Sequence, residues 1–402
     1  LGPAISWMDT RAAAQEAEFR TRIGAEQVQA ITGWGMCGGL NALQILWLRQ
    51  NRPDVFERAA RFLSVPGYLT QRLTGRAAVD YSSAGVEQLL DVRAGRWSEP
   101  ILALLEITPS RLAELVPAQE NVGELTAEAA EALGLPRHVA VAAGGHDQYC
   151  AVLGAGATGS HDRLIATGTA WATVAVLDSP DAGIPQGAAI SRHVVPDLWG
   201  ALFSLDGGGS SLEWLRRALT PVGQADLVPL EQLGQLAAAH PAGADGLVFY
   251  PYFTGAEYPT GLRKANAGFL GLTFQHGAGH MVRAIMEGVA CQAVWMLRAL
   301  SGTADGALIL TGGASKSALW TGMIADIAGR TLTLPALPEA GCLGAAALAG
   351  TAARVYQSPA RGAALLAGER RLVEPSADRE RYQLVYERYQ KGAVRMAPLE
   401  GR

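Results

Sequence analysis

The spacing of apolar positions divides the chain into two stretches of different character. In "LNALQILWLRQN" (40–51) the apolar residues Leu40, Leu43, Leu46 and Trp47 form the stripe of a helix that buries one face. Residues 10–30, rich in Ala, Glu, Gln and Arg, predict a helix before it, and several short helices are expected as far as residue 134. "HVAVAA" (138–143) then reads as a short strand ended by Gly144-Gly145, and from Asp147 the chain can open a new helix with that acid near its N-cap.

After Gly159 strands take over: "RLIAT" (163–167), "WATVAVL" (171–177) and "LWGALFSL" (198–205), separated by turn residues. Helices then alternate with strands: "GHMVRAIMEGVACQAVWMLRAL" (279–300), "ALIL" (307–310), "SALWTGMIADIAG" (317–329), "TLTL" (331–334) and "CLGAAALAGTAARV" (342–355). Buried strands of parallel type among helices predict α/β architecture. The change of character places a domain boundary near residues 157–161, giving domains 1–158 and 159–402. In the tail, Tyr382, Tyr386 and Tyr389 share one face of an amphipathic helix over 377–396 and are assigned to packing.

Composition narrows the functional classes. A chain of 402 residues, 49% hydrophobic and 17% charged, is globular and long enough for two cores. Its net charge of −4, with both signs interspersed, offers no stripe for a nucleic-acid backbone and no polybasic membrane patch. No apolar run reaches the ~18 residues of a membrane span, and "LGPAISWMDT" has neither part of a signal peptide. Cys37, Cys150, Cys291 and Cys342 are far apart and in apolar surroundings, which predicts reduced core residues in a cytoplasmic protein and no metal site.

The nucleotide signals are turns rather than a single motif. "GAGATG" (154–159) matches a dinucleotide fingerprint, but that motif must follow a strand and open a helix, and here the order is reversed. The three lysines, Lys264, Lys316 and Lys391, fit no P-loop; "HGAGH" (276–280) lacks the metalloprotease Glu and reads as a solvated helix start. What remains is "ATGTAWA" (166–172), "LDGGGSSLEWL" (205–215) and "LILTGGASKSALW" (308–320), glycine turns at strand ends. Backbone N–H groups in such turns, and at the helix starts after two of them, can hold phosphate oxygens. Three in one half predict a single nucleotide bound there.

In order along the chain, "PAISWMDTRA" (3–12), "LQILWLRQNRPDVF" (43–56), "YLTQRLTGRAAVDYSSAG" (68–85), "GGHDQYCAVLGAG" (144–156), "TGTAWA", "GFLGLTFQHGAGHMVRAIMEGVA" (268–290), "TGGASKSALWTGMIADIAGRTLTLP" and "GCLGAAALAG" resemble the FGGY carbohydrate kinases. The resemblance implies two actin-like, ribonuclease H-like ATPase domains with a cleft between them. It implies ATP- and Mg²⁺-dependent phosphorylation of a hydroxyl on a small sugar or polyol, a ketose such as xylulose being favoured. Asp147 then matches the catalytic base. Trp7, Asp9, Arg11, His146 and Gln148 match sugar-side residues; for Trp7, Asp9 and Arg11 the alternative is helix capping and an exposed ion pair. Gly168 and Thr169 match phosphate contacts, and Gly209, Glu213, Gly312, Gly313, Ala314 and Ser317 line the ribose and adenine side. A homodimer is the assembly allowed for. Two other classes share such folds, a non-catalytic sensor of sugar or nucleotide and an actin-like ATPase without a sugar substrate.

The resemblance also sets an expectation for the front of the chain. Family members begin with a strand and a D-x-G-T-type turn that meets the ATP phosphates and magnesium, and the numbered chain starts after it. The first domain is therefore expected to be incomplete at its amino terminus, with unpaired strand edges, and the 402 residues alone to be inactive.

Overall fold

Alternate residues of the central strands point into two different cores. Ile165, Ala175, Phe203 and Leu310 pack with the long helix Ala278–Ala299, whereas Leu164, Val174, Leu202 and Ile309 pack with the helices Asp147–Gly154 and Ala340–Ala352. Both faces are covered, which is why these strands carry almost no polar positions. The computed structural model describes residues 3–181, 185, 187–221, 226–256, 261, 264–300, 305–337 and 339–397.

The sheet has seven strands in the order Arg370–Val373, Leu332–Pro335, Leu308–Gly312, Arg163–Thr167, Trp171–Leu177, Trp199–Leu205, Ala189–Arg192. Leu308–Gly312 runs parallel to both Arg163–Thr167 and Leu332–Pro335; every other pairing is antiparallel. The expectation of parallel strands thus holds only at the centre. Continuous apolarity reports burial on two faces, and the antiparallel strands Trp171–Leu177 and Trp199–Leu205 meet that condition equally. The tail helix Arg379–Ala393 buries Tyr382, Tyr386 and Tyr389 against the same core, with the Tyr389 hydroxyl donating to Gln292 Oε1 at 2.7 Å.

The first half is mostly helical around Leu43, Leu46, Leu89, Ile101 and Leu105. The helix expected over 10–30 is two, Ala13–Arg22 and Ala25–Thr32, because Gly24 at φ 91° leaves the helical region. The strand expected over 138–143 is present as Ala140–Ala142, but its partner Asn121–Glu124 and two further pairs, Ala78–Asp80 with Glu114–Val116 and Leu90–Asp91 with Arg96–Trp97, escape the hydrophobic pattern. Each strand is two to four residues long, too short to show alternation.

Edge strand Ala189–Arg192 is the seam between the halves. Ile190 N–H donates to Gly33 O at 2.7 Å, and Trp34 Nε1–H donates to Ser191 Oγ at 2.8 Å. Arg192 reaches Val92 O and Arg93 O while lying over the Tyr81 and Trp199 rings. Of the cysteines, Cys150 and Cys291 are buried as expected, but Cys37 and Cys342 are exposed, because they sit in a glycine turn and on the outer face of a first helical turn. Burial pushes the Cys150 thiol up to about 12. Among the described residues no helix is long and apolar enough to cross a membrane.

Candidate active site

The helix Asp147–Gly154 connects through residues 155–162 to the strand Arg163–Thr167 and packs on the sheet face which that strand helps form. Such a short connection makes the helix run back along the strand. Its first residue, Asp147, therefore lies towards the edge where the strand ends at Thr167. A second helix fixes the same point: Ala340–Ala352 follows Leu332–Pro335 and begins at this edge, where a Cβ on Gly341 would stand 4.0 Å from Asp147 O.

Asp147 is the first helical residue, and His146 is the N-cap. The Asp147 side chain is 82% exposed; its Oδ1 accepts the Gln148 N–H at 2.6 Å and lies 3.4 Å from His146 Nε2. The His146 ring is only 20% exposed, edge-on to Trp34 and tilted against Tyr149. Burial lowers its pKa, and the neighbouring Asp147 charge opposes that shift only in part. Gln148 is half-buried, and its Oε1 has no partner among the described residues.

All three glycine turns lie at this edge, because Thr167 pairs with Gly312 and Trp171 pairs with both Thr167 and Leu205. The bend at Gly168 and Thr169 is exposed. Behind it, Gly209 N–H donates to Gly168 O at 3.2 Å and Ser210 N–H to Thr169 O at 3.0 Å. Those amides, expected from the sequence to face a phosphate, instead buttress the bend, and a Cβ on Gly209 would collide with Gly168 O.

At the third turn Gly312 has φ 88°, and a Cβ there would strike Thr167 O. The Thr167 hydroxyl ties the two strand ends together, donating to Thr311 O at 2.5 Å and accepting Ala314 N–H at 3.0 Å. Gly313 is exposed, while Ala314 is buried. Ser317 caps the helix Ala318–Ala328 by accepting Trp320 N–H at 3.2 Å. The Glu213 carboxylate pairs with Arg216 and Arg217 on its own helix, which holds its pKa below the usual range.

Trp7, Asp9 and Arg11 sit on the first-half segment, apart from these turns in the chain. Trp7 is 71% exposed. Asp9 and Arg11 form a two-pronged pair at 2.9 and 2.7 Å, and the guanidinium lies 4.9 Å over the Trp47 ring. The exposed ion pair weighed from the sequence is present: Asp9 Oδ1 accepts Arg11 N and Nε, and Oδ2 accepts one terminal guanidinium nitrogen.

Three residues beside the site were given no role from the sequence, Trp34, Asp80 and Ser82, and Thr167 was read only as part of its turn, not as the tie between two strand ends. Asp80 had a readable signal, since an acid before Ser-Ser is a helix N-cap pattern, and it caps Tyr81–Val86 by accepting Ser82 and Ser83 N–H. The "HGAGH" segment also differs from expectation, because the His280 side chain is only 13% exposed. His280, His240 and Asp245 bring ligand-type atoms within 4.8 Å of one another. Yet His280 Nδ1 accepts Gly277 N–H, so Nε2 carries the proton and donates it to Asp245 Oδ2 at 3.1 Å. The His240 and His280 rings lie 3.7 Å apart between centroids with 36° between their planes. The His280–Asp245 contact is a hydrogen bond as the structure stands.

Comparison with known proteins fits this geometry. Residues 1–154 match the N-terminal domain, and residues 164–353 the C-terminal domain, of the FGGY family of carbohydrate kinases. The chain is 31% identical over 369 residues to a xylulose kinase of Escherichia coli (strain K12), covering 89% of this chain and 73% of that one. It is 26% identical over 356 residues to a gluconokinase of Bacillus subtilis (strain 168), covering 87% and 69%. The crystal structure of xylulose kinase from Rhodospirillum rubrum superposes with a TM-score of 0.86 at 30% identity, over 98% of this chain and 80% of that one. The chain belongs to the FGGY family of carbohydrate kinases, and has its two-domain, actin-like fold and sugar-kinase chemistry.

Proposed function

We propose that the protein transfers the γ-phosphoryl group of ATP to a hydroxyl of a small ketose, xylulose being the favoured class, with Asp147 receiving the hydroxyl proton. The observation that carries this reading is an exposed carboxylate at the sheet edge where three glycine turns converge. The relatives named xylulose kinase support the choice of sugar.

Phosphoryl transfer asks mainly for alignment and for neutralisation of charge. The bend at Gly168 and Thr169 is exposed and so open to a phosphate. Gly313 and the backbone of Ala314 form the wall towards the base and ribose. Mg²⁺, held largely by phosphate oxygens and water, would supply the neutralising charge. The sugar oxygen bonds to the γ-phosphorus, the bond to the β-phosphate oxygen breaks, the hydroxyl proton passes to an Asp147 oxygen, and ADP leaves. Asp147 orients that hydroxyl, while His146 Nε2 and the Gln148 amide stand close enough to bond neighbouring hydroxyls. Trp7, Asp9 and Arg11 contribute on the first-domain side, Asp9 through the face of its carboxylate not taken by Arg11. Closure of the first half on the second, whose sheet carries both the glycine turns and the helix of Asp147, would exclude water.

A coupled ADP assay of the full-length protein against ketoses, polyols and aldonates tests the reading. ADP formation is expected only with a sugar present, and fastest with a ketose. Turnover without sugar, or binding without turnover, contradicts it.

A further inference from the structure

Asp80 closes the strand Ala78–Asp80 and is 2% exposed. Its Oδ1 accepts Ser83 N–H at 3.1 Å, and its Oδ2 accepts both Ser82 N–H at 2.7 Å and the Ser82 hydroxyl at 2.5 Å. That last bond commits the Ser82 proton to Asp80, so Ser82 Oγ can only accept from elsewhere. It accepts His146 N–H at 2.9 Å, across 64 residues of chain. A helix cap is complete with the Ser82 and Ser83 amides; the extension to His146 serves a different helix. Ser82 is fully buried, and no water can take its place without a cavity. At Gly145, next in the chain, a Cβ would collide with Val194 Cγ1 and stand 3.4 Å from Ser82 Oγ, so the loop passes close against both at this point.

We propose that Ser82, oriented by Asp80, is a positioning residue for Asp147: it holds the amide just before the base and thereby sets where the carboxylate points. The helix that carries Asp147 packs on the second-half sheet, so this bond joins a first-half carboxylate to a base anchored on the other half. The proposal rests on the assignment of Asp147 above.

Steady-state kinetics of the full-length protein separate this role from plain structural support. Ser82→Ala is expected to lower kcat by 10- to 100-fold (about 10²-fold at most for one misplaced group) with KM for ATP within twofold of wild type. In an Asp147→Asn background the same substitution should change the residual rate less than twofold, since it acts through a group already removed. Should Ser82→Ala give no soluble protein, the nearly isosteric Ser82→Cys, a weaker acceptor, is expected to show an intermediate loss of kcat. A kcat within twofold of wild type for the folded variant overturns the proposal, as does an equal loss in both backgrounds. If Asp147→Asn itself retains full activity, the assignment of Asp147 falls first, and the two failures are thereby told apart.

Discussion

Gly154 and Gly344 face each other across two helices with no room for a methyl group between them. A Cβ on Gly154 would collide with Ala340 O, and one on Gly344 with Cys150 O. The helix bearing Asp147 is thus set against its neighbour backbone to backbone, and the position of the carboxylate depends on that contact. Gly344→Ala is expected to destabilise the protein by about 1–3 kcal/mol through overpacking, read as a melting temperature several degrees lower. An unchanged melting temperature would show that the helices can part freely.

Gly209 supports the bend at Gly168 and Thr169 from behind, and its replacement by Ala would push on Gly168 O. The expected result is a KM for ATP raised by ten-fold or more (order of magnitude, from about 1.4 kcal/mol of lost binding), with KM for the sugar changed far less. Equal effects on both substrates, in initial-rate kinetics, would place this turn away from the nucleotide.

His193 is buried, accepts Val195 N–H at Nδ1 and has no partner for Nε2 among the described residues. Burial pushes its pKa down to about 3. The unfolded chain therefore takes up a proton between pH 6.5 and 3 that the folded protein refuses. Stability from this group is complete above pH 6.5 and declines as pH falls, by at most about 1.4 kcal/mol per pH unit. His193→Asn, which keeps an acceptor for Val195, should flatten that decline in urea titrations at pH 7 and pH 5; an unaltered slope would refute the assignment.

Glu87 has the opposite sign. Burial, with the nearby Asp80 charge adding to it, raises its carboxyl to about 7. Its contribution is fully present below the unfolded value of 4.5 and is lost as pH rises through 7. Glu87→Gln should therefore gain stability relative to wild type at pH 8 and lose that advantage at pH 4.5. Urea midpoints at the two pH values decide it, and a constant difference would contradict the shift.

The legibility of the fold followed element length. Long strands and helices, such as Trp171–Leu177 and Ala278–Ala299, carry enough apolar positions to be read from the sequence within a residue or two. Of the two- to four-residue strands of the first half only Ala140–Ala142 was readable, as an apolar run ended by two glycines, and strand direction is invisible when both faces are buried. At the site, the glycine turns and Asp147 were legible because each departs from its surroundings in the sequence. The role of Ser82, and the tie that Thr167 makes beyond its own turn, were not, since a hydroxyl acquires such a role only from the distant amide or carbonyl it meets.

The most direct test of the account is the rate of sugar-dependent ADP formation by Asp147→Asn beside wild type, in the full-length protein with saturating ATP. The account predicts a loss of roughly 10²- to 10⁴-fold, the range of a positioned general base, with the nucleotide still bound. A rate within ten-fold of wild type would contradict it.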